Sequence, residues 1–440
     1  VVAAWHKLQS YHSLLPFDKI GFMTSLDLET QAPIIPPSKR EKILGVRPNV
    51  FYLGLVSFFT DISSEMIFTL VPLFLANVLG VAPSVIGLVG GVSDSTEALI
   101  KIYSGRLADK LKRYKALSIA GYGLSTLAKP FMYLASHWGM VLGVRFTDRL
   151  GKGLRTSPRD ALIAASIEPK ERGRSFGLHK AMDSAGAFLG LFIAAMVIYF
   201  TQSGSVDLTQ DTFKLLVVIG VIPAVMSLII LATLVKDPHR ETKVETETLG
   251  FRDTVKGLPT EFKLFLVVLA VFTLGNSSSF FAILRAQNLG NSVLDITLML
   301  VVFNLTYLLT ATPAGVLSDR FGRRALMMAG WGIYALTYLG FAAAGTSWHI
   351  WVIFAVFGVY YGIVEGVAKA FVADLVPQEK RGTAFGLYHG VMGLLLLPAS
   401  LIAGFLWQEV SPASPFFFGA ALALAAMVGL RALVKPAKAA

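Results

Sequence analysis

From about residue 50 onward, apolar blocks follow one another almost without pause, separated by short clusters of Gly, Pro, Asn and basic residues. Twelve can be counted, at roughly 50–78, 84–104, 117–136, 138–163, 175–200, 212–235, 263–286, 293–314, 325–345, 348–374, 384–407 and 415–434. Each is close to the ~20 residues a helix needs to cross a bilayer, and in lipid only a helix or a closed barrel satisfies its own backbone. The pattern predicts an all-α membrane protein with twelve transmembrane helices. The fourth and tenth blocks are the least clean. The fourth holds Arg145, Asp148, Arg149, Lys152, Arg155, Arg159 and Asp160, so hydropathy alone could miss it.

Composition agrees with lipid as the solvent. Of 440 residues, 54% are apolar and 15% charged, against roughly 25% charged in an ordinary soluble domain. A mean hydropathy of +0.63 and 31 Phe exclude a typical soluble enzyme. Zero Cys removes disulfides, thiolate metal sites and cysteine nucleophiles together. The net charge of +11 would suggest nucleic acid in a soluble protein, but its distribution follows topology instead. With the N-terminus inside, the cytoplasmic segments receive Arg106, Lys110, Lys112, Arg113 and Lys115, then Lys170, Arg172 and Arg174, then Lys236, Arg240 and Lys243. Arg320, Arg323, Arg324, Lys380, Arg381, Arg431 and Lys435 fall on the same side, and the opposite side holds Lys214 and Arg285 at span edges. This positive-inside pattern predicts both termini in the cytoplasm of a plasma membrane, a bacterial inner membrane, with no nucleic-acid partner.

The polar stretch 1–49 has no apolar run ending in a cleavage site and is expected to be a cytoplasmic leader rather than a secretory signal. Residues 236–262 form the one long polar connection, dividing six spans (50–235) from six (263–434), with 435–440 as a cytoplasmic tail. An internal repeat follows the same division. Gly105-Arg-Leu-Ala-Asp109 recurs 210 residues later as Gly315-Val-Leu-Ser-Asp319, and Arg172-Gly173 with Phe176-Gly177-Leu178 recurs 209 later as Arg381-Gly382 with Phe385-Gly386-Leu387. Two landmarks at nearly one offset predict two pseudo-symmetric six-helix bundles, the parallel-repeat plan of a secondary transporter.

On these motifs the chain resembles the major facilitator superfamily over residues 50–434. Gly315-Val-Leu-Ser-Asp319-Arg320-Phe-Gly322-Arg323-Arg324 matches the superfamily's loop signature Gly-x-Leu-x-Asp-Arg-x-Gly-Arg-Arg throughout, while the first copy places Lys112 where the family has Gly. The resemblance implies a gating role for Gly105, Asp109, Arg113, Gly315, Asp319, Arg320 and Arg323, with the glycines permitting close helix contact and the aspartates pairing with basic residues of a neighbouring span. Arg149-Leu-Gly-Lys152-Gly153 is similar to the fourth-span Arg-x-x-Gln-Gly of proton-coupled members, with Lys for Gln. The fifth-span antiporter signature is incomplete: Gly186 and Gly190 are present, but Leu191 stands where Pro belongs.

Ionised groups at bilayer depth cost about 2.5–3.5 kcal/mol each on insertion scales, so those that persist usually face a cavity. On the fourth block the basic residues share an arc of about 120°. Asp61 and Glu65 are one turn apart, as are His179 and Asp183. Acids and bases within the spans of the first half number seven each, so that half can neutralise itself. The expected proton-coupling residues are Asp61, Glu65 and Asp94. The expected substrate contacts are Arg149, Lys152, Arg155, His179, Asp183, Asn276, Asn304, Tyr361, Glu365 and Lys369. His179 and His389 each precede a Met by three, but without Cys or further His nearby no metal site is expected.

No Gly-x4-Gly-Lys-Ser/Thr occurs, so ATP is not the expected energy source; no catalytic role and no cofactor is expected. The leading expectation is a monomeric secondary active transporter, working by alternating access on a small-molecule substrate, by proton-coupled export of an amphipathic compound. The alternatives are transport of an organic anion, favoured by the basic stripe, and a non-transporting sensor or assembly factor.

Overall fold

The computed structural model describes residues 42–111, 113–167, 171–237, 257–377 and 380–434. The expected leader up to residue 41, linker positions 238–256 and the tail 435–440 lie outside the described residues.

The described chain is helical, with no strand among the described residues. The helices are α1 (Pro48–Phe68), α2 (Pro83–Leu111), α3 (Tyr114–Ala128), α4 (Trp138–Ala165), α5 (Arg172–Gln202), α6 (Gln210–Thr233) and α7 (Thr260–Gly275). They continue with α8 (Phe280–Asn288), α9 (Val293–Phe321), α10 (Arg323–Ala343), α11 (Ser347–Leu375), α12 (Arg381–Glu409) and α13 (Ser414–Leu433). Nine helical segments among the described residues are long and apolar enough to cross a membrane alone, Pro48–Val78 and Thr260–Asn288 among them. The expected blocks two, three and four do not reach that standard. Helix α4 carries too many charges, the polar and small residues of α2 keep its mean hydropathy low, and α3 has 15 residues before it tightens into the 3-10 turn Lys129–Leu134. The tenth block, expected to be ill-defined, is one of the nine as Ser347–Leu375.

Local chemistry accounts for the helix ends. Helix α1 breaks after Thr69, and Pro72 stands within the short turn Val71–Leu73 before a π-helical stretch, Phe74–Val78. The expected seventh span is two helices, α7 and α8, interrupted at Asn276–Ser279. Helix α9 opens with a capping box in which the Ser292 side chain accepts from Asp295 N and the Asp295 carboxylate accepts from Ser292 N. Between α9 and α10 the chain reverses at Gly322, whose φ of 87° is a left-handed conformation that a side chain would strain. That is the physical need for glycine in the loop signature.

Helices α1 to α6 pack mainly on one another, as do α7 to α13; the main exceptions are α2, which lies along α12, and α5, which meets α9. At the end holding residues 74–84, 203–209 and 287–293, hydrogen bonds cross between the two sets. Gln287 Nε2 donates to Asn77 Oδ1 at 2.9 Å and to Val206 O at 2.8 Å, Val293 N to Ser205 O at 3.0 Å, and Ser84 Oγ to Gln408 Oε1 at 2.8 Å. At the other end, the pairs among the described residues stay within a set: Lys42 with Glu171 at 2.6 Å, Lys115 with Ala232 O at 2.9 Å, and Lys380 with Gly257 O at 2.6 Å. Among the described residues the loops of the two sets are thus hydrogen-bonded together at the first of these ends, and deeper in the molecule Asp94 meets Ser278 and Lys180 meets Tyr307 across the two sets.

Candidate functional site

Between the two sets lies a cavity of about 450 Å³. Its two walls differ in chemistry. Helices α1, α2, α4 and α5 contribute the charged residues Asp61, Glu65, Asp94, Arg145, Asp148, Arg149, Lys152, Arg155 and Lys180, whereas α8, α9 and α11 contribute chiefly aromatic and apolar ones, with Asn304 and Glu365 as the polar exceptions. On that second wall Phe303, Phe357 and Tyr361 form a mutual cluster with ring centroids 5.1–5.6 Å apart.

Of the expected coupling residues, all three line this cavity, but their partners differ from those the sequence suggested. Glu65, one turn from Asp61, accepts a hydrogen bond from Thr69 Oγ1 at 2.6 Å. The Asp61 carboxyl instead meets that of Asp183 on α5 within hydrogen-bond reach. The reason is the close approach of α1 and α5. A Cβ on Gly186 would lie 2.3 Å from Phe58 O and one on Gly190 2.6 Å from Ile62 O, so these glycines let the helices touch and bring the two acids together. Asp94 lies within reach of Ser278.

Of the expected substrate contacts, Arg149, Lys152, Arg155, Asn304, Tyr361 and Glu365 line the cavity. His179, Asp183, Asn276 and Lys369 do not. His179, expected to share its face with Asp183, is buried with its Nε2 3.0 Å from Ser57 Oγ. Asp183 also accepts from Lys180 Nζ at 3.0 Å. Asn276 accepts from Tyr334 OH at 3.2 Å, and Lys369 lies 3.6 Å from Glu365 on the next turn.

The basic stripe of α4 is only partly neutralised. Glu97 on α2 is its main counterion, accepting from Arg149 Nη1 at 2.7 Å and from Lys101 Nζ at 2.6 Å, with Lys152 Nζ at 3.5 Å. Arg159 turns away to Asp160 at 2.9 Å. Arg155 donates to Ser125 Oγ at 2.7 Å and stacks on Tyr122, with no carboxylate within 4 Å among the described residues. The even tally of acids and bases also omits Lys129, which is fully buried and donates to Ser63 Oγ at 2.7 Å and Ser64 Oγ at 3.1 Å. A Lys-Pro step inside the third apolar block is the sequence signal for it.

The expected gating residues lie at the end opposite the crossed loop bonds. The side-chain positions of Gly105 and Asp109 lie outside the described residues, and Arg113 is exposed ahead of α3. Gly315, expected at a close helix contact, has no neighbouring atom within 4 Å of where a Cβ would sit. Asp319, expected to pair with a neighbouring span's base, is 75% exposed, and its ion-pair partner among the described residues is Arg323 at 3.7 Å, four residues on. Arg323 bonds instead to Asp374 and to Ala370 O at 2.8 Å on α11, while Arg320 lies over its neighbour Phe321.

An all-helical chain of charged and aromatic walls around a central cavity is the form of a membrane solute carrier, and comparison with known proteins agrees. The sequence model of the Major Facilitator Superfamily matches residues 53–269 and 264–440, and the chain belongs to that family. It is an integral membrane protein of a transporter family. The uncharacterized MFS-type transporter MJ1317 of Methanocaldococcus jannaschii is 35% identical over 382 residues, covering 86% of this chain and 92% of that one. The multidrug resistance protein MdtH of Photorhabdus laumondii is 30% identical over 135 residues, 31% of this chain and 33% of that one. Among solved structures, the nucleoside transporter NupG aligns with a TM-score of 0.69 at 13% identity, over 88% of this chain and 99% of that one. That last likeness concerns the fold alone.

Proposed function

We propose that this chain is a secondary active transporter that exports an amphipathic small molecule by alternating access, in exchange for protons. The observation that carries the reading is the placement of the cavity between two sets of helices whose loops are hydrogen-bonded together at one end. Such a site opens to one side of the membrane, and breaking the crossed bonds while forming others at the opposite end would open it to the other. Twelve spans follow if α2, α3 and α4 cross with the nine more apolar segments; their charges then face the cavity rather than lipid. In this reading 50–235 and 263–434 are the two bundles, and the positive-inside bias of the basic loops supports cytoplasmic termini in a plasma membrane.

One feature supports proton coupling. An ionised carboxylate only accepts hydrogen bonds, so the Asp61–Asp183 contact needs a proton between its two groups. Separation of α1 and α5 at that point would release it. Export rather than uptake is supported by the distant likeness to proteins named for multidrug resistance. The exposed Asp319 fits a gate that pairs in the other state.

The test is accumulation of an amphipathic dye in proteoliposomes under an imposed pH gradient. Wild-type protein should accumulate it, and Asp61→Asn should retain dye binding while losing gradient-driven accumulation. Accumulation at the wild-type level in that variant would exclude the coupling role; no accumulation with wild-type protein for any dye that binds would favour a sensor.

A further inference from the structure

We propose that Arg145 is the receptor for an anionic head group, so that the solute is an organic monoanion whose apolar body rests on the aromatic wall of the cavity. This deepens the transporter reading and rests on it.

Arg145 lines the cavity from α4 yet is 2% exposed. Its Nε and Nη1 have no hydrogen-bond partner, and no carboxylate comes within 4 Å of it among the described residues. The guanidinium lies 4.8 Å from the Phe68 ring centroid and 5.5 Å from that of Phe280, which come from the two different sets of helices. Those rings offset the charge but offer no oxygen to accept its N–H groups. A buried donor without an acceptor is costly, and native proteins rarely keep one unless something else fills the need.

The nearby acids are already engaged. Glu97 holds Arg149 and Lys101, the Asp148 carboxylate lies 3.7 Å from Arg149 Nε, and Asp94 faces Ser278 and forms no ion pair with Arg145 within 4 Å among the described residues. The free edge of a guanidinium matches a carboxylate or sulfonate with two parallel bonds, a match an ammonium or a neutral amide cannot make. Across the cavity, Phe303, Phe357 and Tyr361 present an apolar surface to whatever carries that head group. One wall thus supplies an unspent cationic fork and the other a bed for a ring or short chain. A solute with both an anionic end and an apolar body uses both.

The experiment measures binding to purified full-length protein in nanodiscs, by isothermal titration calorimetry, of benzoate, 2-naphthoate and octanoate, each beside its neutral amide. A charge-assisted pair predicts at least one acid binding about 10- to 100-fold more tightly than its amide. Arg145→Met should abolish the preference, and Arg145→Lys, which keeps the charge without the fork, should retain a fraction of it. If no acid is preferred over its amide by wild-type protein, the proposal is wrong, whether or not the variants fold. An unchanged preference in Arg145→Met overturns it equally. Gradient-driven uptake separates the two levels. Acid preference without accumulation leaves the anion site and removes the transporter reading, whereas accumulation of the amides with no acid preference does the reverse.

Discussion

Replacing Glu97 by Gln keeps the side-chain shape and removes the one charge that three cations share. The cost depends on which of them then lacks an alternative. Lys101 and Lys152 are 30% and 40% exposed, so water takes over much of their solvation, and their contribution is discounted accordingly. Arg149 is 14% exposed and donates to Glu97 at 2.7 Å. Breaking a buried pair by removing one partner costs about 3–5 kcal/mol, but Arg149 keeps Asp148 at 3.7 Å as a weaker second partner. The expected loss is therefore about 3 kcal/mol, at the low end of that range. Denaturant titration of the purified protein, with Glu97→Gln, Arg149→Gln and the double variant, measures the pairwise coupling directly. The double variant should be more stable than the sum of the two single losses predicts, because it leaves no orphaned charge. Glu97 does not line the cavity, so anion binding should change far less than stability. A coupling energy under about 0.5 kcal/mol, the level expected of an exposed pair, would refute the assignment of Glu97 as the stripe's counterion.

Gly186→Ala should destabilise by about 1–3 kcal/mol, because its Cβ would collide with the Phe58 carbonyl; the same titration measures it, and a neutral result would mean α1 and α5 are not held at this spacing. Asp319→Asn should leave apparent thermal stability unchanged, given its exposure, while slowing gradient-driven uptake; unaltered uptake would reduce the signature loop to a topology signal. Single cysteines replacing Ser203 and Ser411 should react with an impermeant maleimide added outside cells, and one replacing Asp237 should not. The opposite pattern would invert the proposed topology.

The sequence revealed the helices but not the charge partners, and the reason is physical. A span must keep lipid-compatible side chains over some twenty positions, so most blocks are visible in the hydropathy pattern, while α4 departs from it because its charges turn inward. Side-chain partners depend on which faces of different helices meet, which spacing along one helix does not reveal. Asp61 and Glu65 are one turn apart, yet Glu65 turns to Thr69 and Asp61 to α5. The clue lay in another residue type. Gly186 and Gly190 follow Asp183 by three and seven positions, so all three fall on one face of α5, and a face without side chains is where another helix can approach. Glycine spacing thus marked the face on which Asp183 would find a partner, while tallying acids against bases could not. The same limit applies to Lys129, Arg145 and Arg155, buried cations with no carboxylate within 4 Å among the described residues. An even formal count can coexist with unspent positive charge at one wall, because neutrality is a sum over the chain and pairing is a matter of distance.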